Sequence, residues 1–379
     1  MSDEWEVMNE LNITTRNYLR LLRAGAFQEQ EGIEPMSAWK WGQVYDMSLL
    51  HHTTALAYDG IQHCDDQFFM HIPDKLRAQW LQQTKTTEEE HRQTREQAMQ
   101  LLRQLHQSQS RPILTGSLVY SSYYARPHHR PVDNISIFFP YPTQAQKADT
   151  WAESAATDVN YTDRHTMKYR WQGLHVTHHH RFMRLSNKLL SHSLQNLVEQ
   201  ELRESRTAYY DDDPDIETLN PTLTLFQILL RLSCDLIAGT IQLIDLVDTG
   251  SFLRSIGDRV DYIKLQAWIE KMKMQRMVPI IAQLLVELLA FAEDELPFTT
   301  IQKRVDLSDI VSEILVPSTN RSKRMMVTQS GHGIFLHTSN TSAFVWHARR
   351  SAKFMRYYPS ESITSLFSSF ARSLTNIEE

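Results

Sequence analysis

Short apolar segments separated by turn residues occupy the middle of the chain and set it apart from the longer helical patterns on either side. Residues 134–139 alternate polar and apolar side chains and are rich in Ile and Phe, which is typical of a half-buried β-strand. Residues 113–114 are a shorter strand candidate, and residues 166–182 predict a hairpin that turns near Gln172-Gly173. Predicted helices fall between the strands, at 118–124 and 145–156. This order predicts a compact unit in which helices pack on a small sheet.

Helical periodicity dominates the flanking parts of the chain. Before the strands we predict helices at 11–26 and 39–60, a short helix after Pro73 and a helix at 87–106. The last of these is predicted to begin with a capping box from Thr87 to Glu90, and its apolar stripe is Ala98, Leu101, Leu102 and Leu105. Residues 219–292 are helical again, with a buried helix at 277–292.

These patterns predict an α+β protein with a small mixed sheet flanked by helical regions. We divide it into a helical N-terminal region (1–110), a sheet domain (111–205), a second helical region (206–316) and a tail (317–379). The tail is predicted to carry a strand pair at 325–335 and a short helix at its end. Between the second and third parts, the acidic run at 211–215 contains Pro214 and predicts a linker. A metal site on this run is the less favoured alternative, since repelling acids in a loop are usually solvated.

Composition narrows the classes of function. The chain is 41% hydrophobic and 22% charged, so a sizeable core is expected, and its net charge of -6 gives no reason to expect nucleic acid or an anionic membrane as a partner. The first residues are acidic and lack the pattern of a signal peptide, and no apolar run approaches the roughly 18 residues of a membrane span. Cys64 and Cys234 form no Cys-x-x-Cys motif, which argues against a disulfide framework or a cysteine zinc site. A cytoplasmic location is expected.

A run of motifs along the predicted sheet domain resembles the uncharacterised nucleotidyltransferase family of bacteria, which is related to the polymerase-β-type superfamily. The motifs are the run at 111–117 that ends in Thr115-Gly116-Ser117, the run at 123–127, Arg130 and the strand that begins Asn134-Ile135-Ser136. The run at 21–25 also matches the usual opening of the family, and Gly239, Gln242 and Asp245 fit its later helical segment. The resemblance implies a mixed sheet whose Gly-Ser turn receives the phosphates of a nucleotide. Its implied ligand-binding residues here are Thr115, Gly116, Ser117, Arg126 and Arg130.

The resemblance also implies a metal-assisted reaction, in which three acids hold Mg²⁺ against a nucleoside triphosphate. In this chain the three positions carry Asn134, Ser136 and Thr177, and Thr115 replaces the family's lysine. None of these side chains neutralises the charge of a divalent ion. Asp133 is the one nearby acid, and strand parity would place it with Ile135 on the apolar face. We therefore expect a retained fold whose metal site has lost its acids.

Seventeen histidines leave other chemistry open. His178 and His180 would share one face of a strand and are weak candidates for a Zn²⁺ or Ni²⁺ site, although edge positions in the sheet are the simpler explanation. His128-His129 is weaker still, because adjacent side chains diverge on a regular helix or strand. A hydrolase is disfavoured by the absence of a Gly-x-Ser-x-Gly motif. Tyr120, Tyr123 and Tyr124 could stack on an anionic ligand, but Tyr123 and Tyr124 are expected to pack the short helix onto the sheet instead.

The preferred function is therefore a catalytically impaired or inactive nucleotidyltransferase-fold protein that binds a nucleotide or another anion, or acts as a partner subunit. The main alternative is an active enzyme that transfers a nucleotide to a sugar, protein or small acceptor, with Mg²⁺ and a nucleoside triphosphate as its requirements and Asp133 serving the metal. A third hypothesis is that the protein is a scaffold that binds no ligand. No membrane and no nucleic acid are expected as partners.

Overall fold

A computed structural model describes residues 11–68, 70–205, 207–211, 213–301, 304–315 and 350–364. The chain divides into two compact units. The first comprises Met1–Arg184, Leu194–Leu225 and Leu246–Asp261, and the second comprises Leu185–Ser193, Phe226–Asp245 and Tyr262–Glu379. The strand pair predicted at 325–335 lies outside the described residues.

Among the described residues, four helices precede the sheet: α1 (Ile13–Phe27), α2 (Ala38–Leu50), α3 (Thr54–His63) and α4 (Asp74–Gln107). The single helix predicted at 39–60 is wrong, because the chain breaks at His52, whose φ is 56°. Thr53 follows the break and its Oγ1 lies 2.6 Å from the hydroxyl of Tyr18 on α1, so a tertiary contact fixes the interruption.

α4 is one continuous helix of 34 residues. The separate short helix after Pro73 and the capping box at Thr87 are both wrong, since Thr87 lies inside α4 and its Oγ1 donates to the backbone oxygen of Gln83. The predicted apolar stripe from Ala98 to Leu105 is confirmed, because all four of its members are buried.

Two helices of the first unit, α1 and α3, approach so closely that glycine is required at the crossing. A Cβ atom on Gly25 would lie 1.9 Å from the backbone oxygen of Leu56, and one on Gly60 would lie 1.9 Å from that of Leu21. Backbone therefore packs directly on backbone at this point.

Seven strands form one mixed sheet in the order β3-β4-β5-β2-β1-β7-β6. Their bounds are β1 (Ile113–Thr115), β2 (Ile135–Phe138), β3 (Thr157–Asp163), β4 (Thr166–Trp171), β5 (Leu174–His179), β6 (Ala208–Tyr210) and β7 (Asp213–Thr218), and the helices α5 (Ser117–Ser121) and α6 (Pro142–Ala155) lie between them along the chain. β1 pairs antiparallel with β2 and parallel with β7, and β2 pairs parallel with β5. The predicted α+β class with a mixed sheet is confirmed.

The sheet extends past the predicted domain limit at residue 205, because β6 and β7 belong to it. The linker predicted at 211–215 is wrong, since β7 begins at Asp213 and the carboxylate of Asp213 accepts from the backbone nitrogen of Asp215 at 3.0 Å. Pro214 is tolerated because the register of β7 with β1 starts only at Glu217.

One face of the sheet carries the core of the first unit. Ile135, Ile137 and Val176 pack there with the apolar residues of α4 and α6. Complete burial of such a side chain contributes about 1.5–3 kcal/mol to stability. Since side chains alternate along a strand, Ser136 and Thr177 are directed to the opposite face.

Helices that follow in the described part of the chain include α7 (Lys188–Glu204), α8 (Pro221–Ala238), α9 (Leu243–Ile256), α10 (Tyr262–Lys271), α11 (Val278–Leu289) and α12 (Ser308–Leu315). The buried helix predicted at 277–292 is confirmed as α11. By length and composition α8 would also suffice to cross a membrane, but 67% of it is buried inside the protein, as in the core helix of a soluble fold. This is weak evidence for a membrane span.

Candidate nucleotide-binding site

The turn between β1 and α5 places Gly116 directly against β2. Gly116 has φ 79° and ψ -152°, a backbone conformation that residues other than glycine rarely adopt. A Cβ atom added to Gly116 would lie 3.2 Å from the Cβ of Ser136. The hydroxyl of Thr115 donates to the backbone oxygen of Ser136 at 3.2 Å, and that of Ser117 donates to the backbone oxygen of Asn134 at 3.2 Å. Asn134, which precedes β2, and Ser136 therefore both lie next to the Gly-Ser turn.

The three positions at which the family resemblance implies acids are in mutual contact. Thr177 Oγ1 donates to Asn134 Oδ1 at 3.2 Å, and Asn134 Nδ2 donates to Ser136 Oγ at 3.2 Å. Ser136 and Thr177 also face each other in the register of β2 and β5. Thr177 therefore lies beside Asn134, and we call Asn134, Ser136 and Thr177 the neutral triad.

Two hydrogen bonds link the members of the neutral triad to one another, which three ionised carboxylates could not do. Three carboxylates in this arrangement would repel one another and would need a cation between them. An amide and two hydroxyl groups instead form a chain of donors and acceptors with no net charge. The cluster is therefore stable without an ion.

Asp133 lies beside the neutral triad but does not follow the strand parity that the sequence predicted. β2 begins at Ile135, so Asp133 precedes the strand, and its side chain is exposed rather than directed at the core. The expectation that Asp133 faces the apolar side is wrong for this reason.

The two arginines predicted to bind phosphate differ in their surroundings. Arg130 is buried and holds the carboxylate of Asp248 on α9, with Nε to Oδ1 at 3.1 Å and Nη2 to Oδ2 at 2.7 Å. A phosphate would have to displace this carboxylate. The side chain of Arg126 is 49% exposed, so of the two it is the better placed for an external anion, although its Nη1 donates to Asp59 Oδ1.

The tyrosines of this segment pack within the fold, as the sequence predicted. Tyr120 and Tyr124 are buried, and Tyr123 contacts Phe252 edge to face with ring centres 5.1 Å apart. Tyr124 donates its hydroxyl to Asp248 Oδ1 at 2.7 Å, and burial raises the pKa of this hydroxyl well above its usual range.

His178 and His180 do share one face of their segment, and both contact Asp149 on α6. His178 Nδ1 lies 3.1 Å from Asp149 Oδ1, and His180 Nε2 lies 2.9 Å from Asp149 Oδ2. The carboxylate accepts from Nδ1–H of His178, so Nε2 carries the lone pair that accepts from the hydroxyl of Tyr169 at 2.8 Å. Both ring nitrogens of His178 are thus in use. Burial lowers the pKa of His178, which keeps the ring neutral.

Sequence reasoning missed two cations on the polar face of the sheet. Lys168 on β4 lies opposite Thr177 in the register with β5, and Arg170 lies opposite His175. Cross-strand partners share a face, so Lys168 and the neutral triad lie on the same side. Both cations are exposed. The sequence feature that could have predicted them is the alternation Lys168-Tyr169-Arg170, which places both cations on one face of a strand.

Comparison with known protein families identifies the family of the chain. The family model of the uncharacterised nucleotidyltransferases matches residues 37–290, which is more than half of the chain and includes the neutral triad. The chain therefore belongs to this nucleotidyltransferase family. No curated protein and no solved structure matches the chain. The resemblance noted at residues 21–25 lies outside the matched range.

Proposed function

We propose that this member of the family has lost metal-dependent transfer and binds a nucleotide or another phosphate ligand as a binding or partner subunit in the cytoplasm. The observation that carries the proposal is the hydrogen-bonded neutral triad of Asn134, Ser136 and Thr177. It occupies the three positions at which the family resemblance implies metal-binding acids.

The argument against transfer is electrostatic. Nucleotidyl transfer needs divalent metal to offset the charge on the attacking and leaving oxygens, and carboxylates hold that metal. The neutral triad supplies dipoles without charge, so both the affinity for metal and the rate should fall. Loss of a single oxyanion donor already costs about 3–4 kcal/mol in other enzymes, and loss of a metal clamp should cost more.

The argument for a retained anionic ligand is the charge on the same face of the sheet. Lys168 and Arg170 are exposed there, and Lys168 is the cross-strand partner of Thr177. Without carboxylates in the neutral triad, these cations face less negative charge. A phosphate can therefore be attracted here without a bridging metal.

A restoration experiment tests the lost metal site. The wild-type protein and the variant Asn134→Asp/Ser136→Asp/Thr177→Glu are titrated with Mn²⁺, and the free ion is followed by its paramagnetic resonance signal. The wild type should bind no Mn²⁺ at this site and the variant should bind it. A control with added acids on exposed helix positions, Gln82→Glu/Thr150→Asp, should behave as the wild type.

Mn²⁺ binding by the wild type that the single change Asn134→Ala abolishes would contradict the proposal. Equal binding by the restored variant and the control would show that the neutral triad is not a former metal site.

An active transferase is the second candidate, and the exposed position of Asp133 beside Asn134 favours it. Incubation with labelled nucleoside triphosphates, Mg²⁺ or Mn²⁺ and a cell lysate as the source of acceptors separates the two. We expect no label transfer. Transfer that disappears in Asp133→Ala would establish the active enzyme instead.

A further inference from the structure

A second group of ionisable side chains lies where α3, α4 and the 3₁₀ turn Pro127–His129 meet. Two adjacent histidines of the turn direct their Nε2 atoms toward Glu88 on α4: His129 Nε2 lies 2.7 Å and His128 Nε2 lies 3.8 Å from Glu88 Oε1. The two rings are nearly perpendicular, with centres 4.7 Å apart. The expectation that adjacent histidines diverge is wrong here, because the tight turn is neither a regular α-helix nor a strand.

The other nitrogen of His129 is fixed by a buried carboxylate. Nδ1 of His129 lies 2.6 Å from Asp59 Oδ2 on α3, and both side chains are almost fully buried. Arg126 Nη1 donates to the second oxygen, Asp59 Oδ1, at 2.5 Å. The carboxylate can only accept, so Nδ1 carries the proton and the lone pair of the neutral ring lies on Nε2. Histidines that bind metals are usually held by a carboxylate in this way.

A lone pair on Nε2 of His129 that faces a carboxylate oxygen is repulsive unless a positive charge lies between them. A second proton on the ring would provide that charge, and a metal ion would provide it as well. The nearby His128 offers another imidazole nitrogen to the same oxygen, which an ion pair alone does not require. Among the described residues, these three are the group whose nitrogen and oxygen ligand atoms lie within 4.8 Å of one another.

We propose that Glu88, His128 and His129 bind a divalent transition-metal ion of the zinc class, with Asp59 as the residue that orients His129. Two imidazoles and one carboxylate are ligands that suit Zn²⁺, and three protein ligands leave a fourth position for water or an external ligand. Adjacent ligand atoms of a tetrahedral zinc site with bonds of about 2.0–2.1 Å lie roughly 3.3 Å apart. The side chains of His128 and Glu88 are 48% and 40% exposed, so they have room to reach that spacing.

This zinc-class site is separate from the neutral triad and uses different ligands. It joins the turn before β2 to α4, and with Asp59 it also reaches α3. A metal there would fix the segment that carries Arg126, the better placed of the two predicted phosphate-binding arginines. The proposal does not depend on whether the protein transfers nucleotides.

Zinc titration of the purified, tag-free protein tests the proposal, with isothermal calorimetry for affinity and the visible absorption of Co²⁺ for tetrahedral geometry. We expect one ion per chain. His128→Gln and Glu88→Gln should each weaken binding by about 100-fold or more, and Asp59→Asn should weaken it about 10–100-fold. His128 makes no close hydrogen bond that folding would need, so its variant separates loss of the ligand from loss of the fold. The matched control is His71→Gln, an exposed histidine on another segment, which should bind as the wild type.

Absence of zinc binding in the wild type would overturn the proposal. His129 would then be an imidazolium between Asp59 and Glu88. Burial lowers the pKa of His129, but these two carboxylates outweigh that effect and raise it. Binding that survives His128→Gln but disappears in His180→Gln would also overturn it, since the ion would then lie at Asp149.

Discussion

Arg130 and Asp248 are joined by two parallel hydrogen bonds in the interior of the first unit, with Arg130 10% and Asp248 1% exposed at the side chain. The pair ties the segment before β2 to α9. The residue that the sequence predicted as a phosphate ligand therefore has a structural partner in the folded chain.

Removal of Arg130 should destabilise the folded protein, because it leaves the carboxylate of Asp248 buried without its counter-charge. We expect Arg130→Met to lower the free energy of unfolding by about 3–5 kcal/mol in urea titrations. The double variant Arg130→Met/Asp248→Asn should recover part of this loss, since the amide carries no charge and still accepts from Tyr124. Arg92→Met, which removes an exposed arginine of α4, should cost less than about 1 kcal/mol. Equal losses in Arg130→Met and Arg92→Met would contradict this account.

Two glycine substitutions should have opposite effects on stability. Gly60→Ala places a methyl group 1.9 Å from the backbone oxygen of Leu21 and should destabilise the protein by about 3 kcal/mol or more, since backbone cannot yield as a side chain does. Gly42→Ala, within α2, meets no atom within 4 Å and should stabilise by about 0.5–1 kcal/mol. Thermal unfolding of both variants checks the pair. A neutral Gly60→Ala would mean that α1 and α3 are further apart than the structure places them.

His91 should make the stability depend on pH. It is buried on α4, and because Ser121 Oγ donates to the backbone oxygen of Leu118, that hydroxyl must accept from Nε2–H of His91. Burial, with smaller contributions from nearby cations, lowers the pKa of His91 from 6.5 to about 4. As the pH falls, the unfolded chain therefore takes up the proton before the folded chain does. The contribution of neutral His91 to stability is complete above pH 6.5 and is lost as the pH falls toward 4.

The measurement is the free energy of unfolding of the wild type and of His91→Gln at several pH values in this window. The wild type should lose up to about 3 kcal/mol more than the variant between pH 6.5 and 4, because one unit of pKa corresponds to about 1.4 kcal/mol. Parallel curves for the two proteins would exclude His91 as the titrating group, and His71→Gln should follow the wild type.

Lys168 should contribute to the affinity for a phosphate ligand, if the proposed function is correct. We expect Lys168→Gln to weaken the binding of a nucleoside triphosphate about 3- to 10-fold and to reduce its dependence on salt, because one cation has been removed near the ligand. Lys147→Gln on α6 removes a cation that contacts Gln109 instead and should have little effect. Fluorescence titration with a labelled triphosphate distinguishes the two variants, and equal weakening in both would indicate only a change in net charge.

The local pattern of polar and apolar residues was sufficient to predict much of the sheet domain. The alternation at Ile135 and Ile137 and the turn at Gln172-Gly173 predicted β2, β4 and β5 within a few residues, since each strand has one buried face. The positions of Ser136 and Thr177 followed from this parity together with the family resemblance, and that of Asn134, which precedes β2, followed from the resemblance alone. Asp133 did not, because the parity rule applies only inside the strand and β2 begins two residues later.

The features that the sequence did not predict depend on contacts between distant residues. β3 is mostly polar and exposed, and its two non-polar side chains, Val159 and Tyr161, are too few to predict a strand. β7 begins with acids and Pro214, and its pairing with β1 decides its conformation. The grouping of Asp59, Glu88 and His129 draws on three segments that only the folded chain brings together.

The pairing of β1 with β7 has a consequence for how the chain is made. Ile113 and Leu114 lie beside Glu217 and Thr218, about one hundred residues further along. A ribosome that adds about 5–20 residues per second leaves this edge of β1 without its neighbour for several seconds. During that interval the nascent sheet presents open backbone groups to any other extended chain. A chain truncated between residues 180 and 218 should therefore aggregate rather than fold into a smaller domain.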